Sequence, residues 1–271
     1  MNEAIASSEP FRFLVGPRKR EFTIHSAVVA NQSRSLDRLV NGEFVEGNDK
    51  TVRWEDVDEE TFLCFWQYAY TGDYDVPRES ETPDVEMEGE EDGGDKTPEY
   101  TDISPNFYYG TNDRITNNNT IYAWRPSLEK SKRDKLWEAF AALSSSSGSK
   151  RSAIKDKKSR DHLNARGLLR DARVYVFADC YGITPLMNLS FDMLHQSLYT
   201  LDLRTENLAD IVALIHYCYE TPTPVGLKQL VVLYAACNVE KLWADEQFRH
   251  LLETHGDFST SLVGSLLSRL C

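Results

Sequence analysis

Cysteine is scarce and poorly spaced for chemistry. The chain of 271 residues has five, Cys64, Cys180, Cys218, Cys237 and Cys271, and no two form a Cys-x-x-Cys pair. The count is odd and four sit inside apolar helical patterns. A disulfide framework or thiolate metal site is therefore not expected; reduced, buried thiols of an intracellular protein are. No uninterrupted apolar stretch approaches the roughly 20 residues that cross a bilayer. Met1 to Pro10 lacks a basic segment followed by an apolar one, so no secretory leader is expected. Positive charge is also in deficit, with 30 Lys and Arg against 43 Asp and Glu and a net charge of −13. That balance excludes the chain as a whole from general nucleic-acid or membrane-surface binding. No Gly-rich phosphate loop, Gly-x-Ser-x-Gly elbow or His-Glu-x-x-His helix occurs, and no repeat of fixed period stands out.

What is present falls into three blocks. In the first, residues 9–76, Phe11, Phe13 and Val15 alternate with polar neighbours. Gly16-Pro17-Arg18-Lys19 reads as a turn, and Phe22 and Ile24 resume the alternation, so a β-hairpin is expected. Ser26 to Asn31 and Ser33 to Asn41 read as short helices, with Ser33 as N-cap and Gly42 as stop. Thr51 to Trp54 is a strand. Asp58 to Thr71 is the strongest helix, with Asp58 as cap, Val57 and Phe62 as a hydrophobic staple and Gly72 as its left-handed end. Phe62, Phe65, Trp66 and Ala69 recur at helical spacing, which predicts that all three aromatics are buried.

The second block, 77–163, is acidic and then basic. Glu79 to Asp95 has almost no large apolar residues and cannot offset its ordering entropy, so it is expected to be disordered. Asn117 to Thr120 and Ser144 to Gly148 read as linkers. A short helix near 128–143 carries Leu136, Trp137, Phe140 and Leu143 on one stripe and should dock, since such a helix is marginal alone. The third block, 164–271, reads as all helix. Gly182 closes its first helix and Pro185 opens the second. Pro222 and Pro224 end the third. A fourth is centred on Leu227 to Ala235. Leu242 to Leu252 outlines one continuous fifth, and Phe258, Ser259 and Val263 supply the staple and cap of a sixth.

Polar residues that could suggest catalysis have plainer readings. His25 has no Asp or Ser at a suggestive spacing and reads as a structural hydrogen-bonding residue. His216 and Cys218 are two apart on a helix and face different sides, so they do not share an ion. Cys180 lies within an apolar helix pattern beside Asp179 and reads as inert. Lys150, Arg151, Lys155, Lys157, Lys158 and Arg160 form either a solvated linker or a nuclear import signal. No catalytic residue, metal ligand or cofactor follows from these patterns, and no enzyme is expected.

Taken in order, several segments resemble a known family. His25, Val29, Ser33 and Leu36 after a strand are similar to the opening motif of a BTB/POZ domain. Trp54-Glu55-Asp56-Val57-Asp58 with Phe62 resembles its middle, and Tyr70-Thr71-Gly72-Asp73-Tyr74 its end. Arg173 to Ile183 resembles the Val-Tyr-x-x-Ala-Asp-x-Tyr opening of a BACK-like helical extension, and the split arrangement resembles BTB proteins of filamentous fungi. The resemblance implies an α+β fold, a short sheet flanked by helices, followed by an all-α extension with a polar insertion between. It implies a protein–protein interaction module in cytoplasm or nucleus, without cofactor. One role of the family is to bridge a cullin-3-type ubiquitin ligase scaffold to a target through a hydrophobic-x-Glu triplet, and Phe44, Val45 and Glu46 match that triplet. A nuclear regulatory or scaffold protein is the alternative. The residues before Phe11 are too few and too polar for the N-terminal helix of the family's domain-swapped dimer. A second BTB chain stays a candidate partner, with swapping not the expected form of pairing.

Overall fold

The computed structural model describes residues 7–42, 49–74, 132–143 and 165–270. The chain opens with a hairpin of β1 (Pro10–Val15) and β2 (Arg20–His25), paired antiparallel with Phe13 opposite Phe22. Gly16 at the turn has φ +72°, a conformation that strains any residue with a Cβ. β3 (Thr51–Trp54) joins β1 in parallel, giving the order β2-β1-β3. Phe11, Phe13, Val15, Ile24, Val52 and Trp54 fill the buried face, while Arg12, Thr23 and Arg53 face solvent. A register slip of one residue would drive Arg12 into the core, so the alternation alone sets the pairing.

The connection between β2 and β3 carries α1 (Ser26–Ala30) and α2 (Arg34–Asn41). Ser33 caps α2, its Oγ accepting from the Leu36 N–H at 3.1 Å. α3 (Glu59–Thr71) begins at Asp58, which accepts from the Thr61 N–H at 2.9 Å, and ends at Gly72 in the left-handed conformation, φ +76°. Phe62 and Phe65 are fully buried, each contributing about 1.5–3 kcal/mol. Trp66 departs from the sequence expectation. It is 40 % exposed, because the buried face of α3 is centred between Phe62 and Phe65 and Trp66 falls at its margin, about 100° round the helix from Phe65.

The remaining helices are α4 (Lys132–Ala141), α5 (Ala165–Cys180), α6 (Thr184–Thr200), α7 (Leu208–Glu220), α8 (Val225–Cys237), α9 (Val239–Leu242), α10 (Glu246–Thr254) and α11 (Gly256–Leu270), with a 3₁₀ turn at Thr205–Asn207. Gly182, φ +68°, ends α5, and Pro185 sits in the first turn of α6. α8 is buried nearly all round, from Leu227 to Cys237, and is the centre of the helical part. α4 docks as its stripe requires. Phe140 is fully buried and its ring stacks on His195 at 4.7 Å, and His195 Nε2 lies 2.9 Å from the Phe140 carbonyl. Trp137 stacks on Tyr199 at 5.5 Å.

Two expectations fail here. The fifth helix is broken, since Asp245 caps a new helix by accepting from the Phe248 N–H at 2.9 Å, which separates α9 from α10. Ser259 is not a cap. It lies inside α11, its hydroxyl donates to the Leu252 carbonyl at 2.6 Å, and Val263 is 54 % exposed and so closes no staple.

Two buried clusters share α5. Val174, Phe177 and Ala178, with Ile183 and Leu186, join the cluster on the sheet. Leu168, Ala172 and Tyr175, on another side of the same helix, enter the cluster built around α8. The expected disorder of Glu79 to Asp95, the linkers at 117–120 and 144–148 and the basic run 150–160 lie outside the described residues.

Candidate functional site

The surface that stands apart is the outer face of α3 beside β2. Leu63, Trp66 and Tyr70 are 42 %, 40 % and 41 % exposed, and their spacing of three and four residues places them on one helical stripe. Trp66 and Tyr70 rings are 5.2 Å apart, and the Trp66 indole N–H donates to the Thr23 carbonyl on β2 at 3.4 Å. Among the described residues β2 is an edge strand, with exposed Arg20, Glu21, Thr23 and His25. Edge strands and contiguous apolar stripes are the two surface features that most readily accept another chain.

The stripe is held in place by polar contacts at both ends. At one end His25 Nδ1 lies 2.8 Å from the Tyr70 hydroxyl, and the His25 backbone N–H also lies within 3.2 Å of it. His25 is thus a structural residue that fastens the end of the hairpin to the end of α3. At the other end Glu59 accepts from Arg20 and Arg18, each at 2.9 Å. The hydrogen bond from Arg20, with the Arg18 guanidinium beside it, holds the Glu59 carboxyl below the usual range. Tyr70→Phe removes the hydroxyl that His25 uses and should lower stability by about 0.5–1.5 kcal/mol, read from the urea midpoint, toward the low end because both groups are exposed.

The sequence-derived triplet Phe44, Val45 and Glu46 lies outside the described residues. On either side of it, the Gly42 N–H donates to the Arg38 carbonyl at 2.9 Å and the Lys50 carbonyl accepts from the Arg12 N–H at 2.9 Å.

Other candidates separate as chemistry requires. Cys218 is fully buried while His216 is exposed, so the two face different sides of α7. Burial pushes the Cys64 and Cys218 thiols up to about 12, which keeps both protonated and unreactive at neutral pH. Cys180, expected inside an apolar pattern, is exposed, because it is the last residue of α5 and the helix turns away at Gly182. Sequence reasoning missed the Leu63-Trp66-Tyr70 stripe. A signal was present, since Phe62 to Trp66 is an unbroken apolar run and a helix cannot bury five consecutive residues against one partner. It also missed a His216, Glu220 and His255 grouping, which brings two residues of α7 to a third at the α10–α11 joint.

The described order also joins two segments far apart in sequence. Ser33, besides capping α2, donates its hydroxyl proton to the Tyr181 carbonyl at 2.6 Å, and the Tyr181 ring lies 4.6 Å from Trp54. Comparison with known proteins gives one match. Residues 12–86 fit the family model of the BTB/POZ domain. No curated protein and no solved structure matches the chain.

Proposed function

Since the chain carries a BTB/POZ domain, a protein–protein interaction fold, we propose that it works as an adaptor, holding a cullin-3-type ligase scaffold with one surface and a second protein with another. The observation that carries the docking role is the exposed stripe of Leu63, Trp66 and Tyr70 beside the edge strand β2. Aromatic side chains with a polar tip are the residues that most often anchor protein interfaces, and an edge strand adds backbone groups for pairing. In this reading Phe44 fills an apolar pocket of the scaffold and Glu46 lies at the rim, with Val45 between them. The match of Phe44, Val45 and Glu46 to the family's hydrophobic-x-Glu triplet supports it.

Binding of purified full-length chain to purified cullin-3 tests the scaffold contact. Phe44→Ala/Glu46→Ala should weaken binding at least about tenfold, while Leu63→Ser/Trp66→Ser should leave it within about threefold. Equal binding by the triplet variant and wild type, or no binding by either, sinks the scaffold assignment. A second reading uses the same stripe for pairing with another copy of the chain. Light scattering of the Leu63→Ser/Trp66→Ser variant separates the two, since self-association through α3 would be lost and a monomeric wild type would exclude it. The nuclear regulatory alternative rests on Lys150 to Arg160 as an import signal. Replacing those six basic residues with Ser should then move the chain from nucleus to cytoplasm.

A further inference from the structure

α7 presents His216 and Glu220 one turn apart, with His216 Nδ1 at 3.1 Å from Glu220 Oε2. His255, at the joint between α10 and α11, brings its ring to 5.3 Å from that of His216, nearly perpendicular at 86°. One donor atom from each of the three residues lies within 4.8 Å of the others. Beside them opens a surface cavity of about 500 Å³, whose lining includes Val212, Ala213, His250 and Thr254.

We propose that His216, Glu220 and His255 bind one divalent transition-metal ion of the zinc class and so clasp the end of α7 to the α10–α11 joint. Two imidazoles and a carboxylate match the preference of zinc and its neighbours, whereas magnesium and calcium demand sets of oxygen ligands. Bonds of about 2.0–2.2 Å to a tetrahedral ion need donors roughly 3.5 Å apart. The His216 and Glu220 side chains are half-exposed at 50 % and 55 %, and the clasp requires them to rotate so that the donors close from within 4.8 Å of one another to that spacing. The third ligand is already set by its own backbone. The His255 N–H donates to the Leu251 carbonyl at 2.9 Å and its carbonyl accepts from the Ser259 N–H at 3.0 Å.

A plain His–Glu helix pair accounts for the 3.1 Å contact but not for a second imidazole brought to the same point from the α10–α11 joint. A shared cation would use both imidazoles as neutral ligands. The cavity leaves the fourth position open to water, as in sites with three protein ligands.

The test titrates zinc chloride into the full chain after chelator treatment, by calorimetry and by thermal unfolding. Wild type should bind one zinc at this site and gain roughly 5 °C in Tm at saturation. His216→Ala and His255→Ala should each weaken that binding about 100-fold and abolish the Tm gain, and Glu220→Gln should weaken it about tenfold. Cys180→Ser, an exposed thiol elsewhere, should change nothing. His216, Glu220 and Cys180 are exposed and His255 is part-buried, so circular dichroism should be unchanged in every variant. A His216→Ala/His255→Ala chain that binds zinc as tightly as wild type, or a wild type with no Tm gain, overturns the clasp.

Discussion

Residues 7–76 expressed alone are expected to give no cooperative urea transition and no near-ultraviolet dichroism, and to bind a hydrophobic dye. The reason is the cluster on the sheet. Trp54 lies 5.4 Å from Phe177 and 4.6 Å from Tyr181, Phe65 lies 5.2 Å from Phe177, and none of those partners is in the fragment. Val174, Phe177, Ile183 and Leu186 bury their side chains in the same cluster. At about 1.5–3 kcal/mol for each large side chain, their loss removes roughly 6–12 kcal/mol. Total stability of a domain is only about 5–15 kcal/mol. The hydrogen bond from Ser33 to the Tyr181 carbonyl goes as well. A fragment that unfolds cooperatively with its native aromatic dichroism would show that α5 and α6 are dispensable to the sheet.

Arg170→Leu should cost about 3–5 kcal/mol at pH 8, and the cost should shrink as pH falls. Arg170 and Asp171 are both buried at 2 % exposure, and the guanidinium donates to Asp171 Oδ1 at 2.9 and 3.1 Å. The Tyr74 hydroxyl donates to the same oxygen at 3.3 Å. Burial pushes the Asp171 carboxyl up to about 6, although Arg170 and Tyr74 pull it back. A raised carboxyl means that the folded chain holds the proton more tightly than the unfolded one. Its contribution is therefore unfavourable above pH 6 and is relieved as pH falls from about 6 toward 4. Removing Arg170 takes away the cation, raises the carboxyl further and widens that window upward. Urea unfolding at pH 8 and pH 5.5 measures the difference. Arg170→Leu/Asp171→Leu should recover most of the loss, because it leaves no charge stranded. A single variant as stable as wild type at pH 8 would mean that water reaches the pair.

Tyr74 shows how a motif residue acquires its role. In sequence it ends the Tyr-Thr-Gly-Asp-Tyr turn. In the structure it is 1 % exposed, with its ring 5.9 Å from the Arg170 guanidinium, on a helix nearly a hundred residues further on. His25 and Tyr70, read as marks of the start and end of one block, are hydrogen-bonded to each other. Ser33 and Tyr181, taken from two blocks with an insertion between them, also meet. The pieces were visible as separate patterns, and their pairing was not. Trp66 is the instructive error. Its spacing fits a buried stripe with Phe62 and Phe65, and only the position of the sheet and α5 decides which side of a nearly all-apolar helix is covered.

Local chemistry set the hairpin, the three strands, the caps at Ser33 and Asp58, the left-handed glycines at 16, 72 and 182, and the helical character of the C-terminal part. Each of these depends on residues within a few positions of one another, and alternation, capping and φ preference act at that range. The sequence-based family resemblance rested on the same short segments. What closes the sheet's apolar face, where the Leu63-Trp66-Tyr70 stripe is left bare, and that His216, Glu220 and His255 converge were decided by tertiary structure alone. These depend on which helix face meets which partner across long separations. That choice minimises exposed apolar area over the whole chain, so no window of sequence contains it.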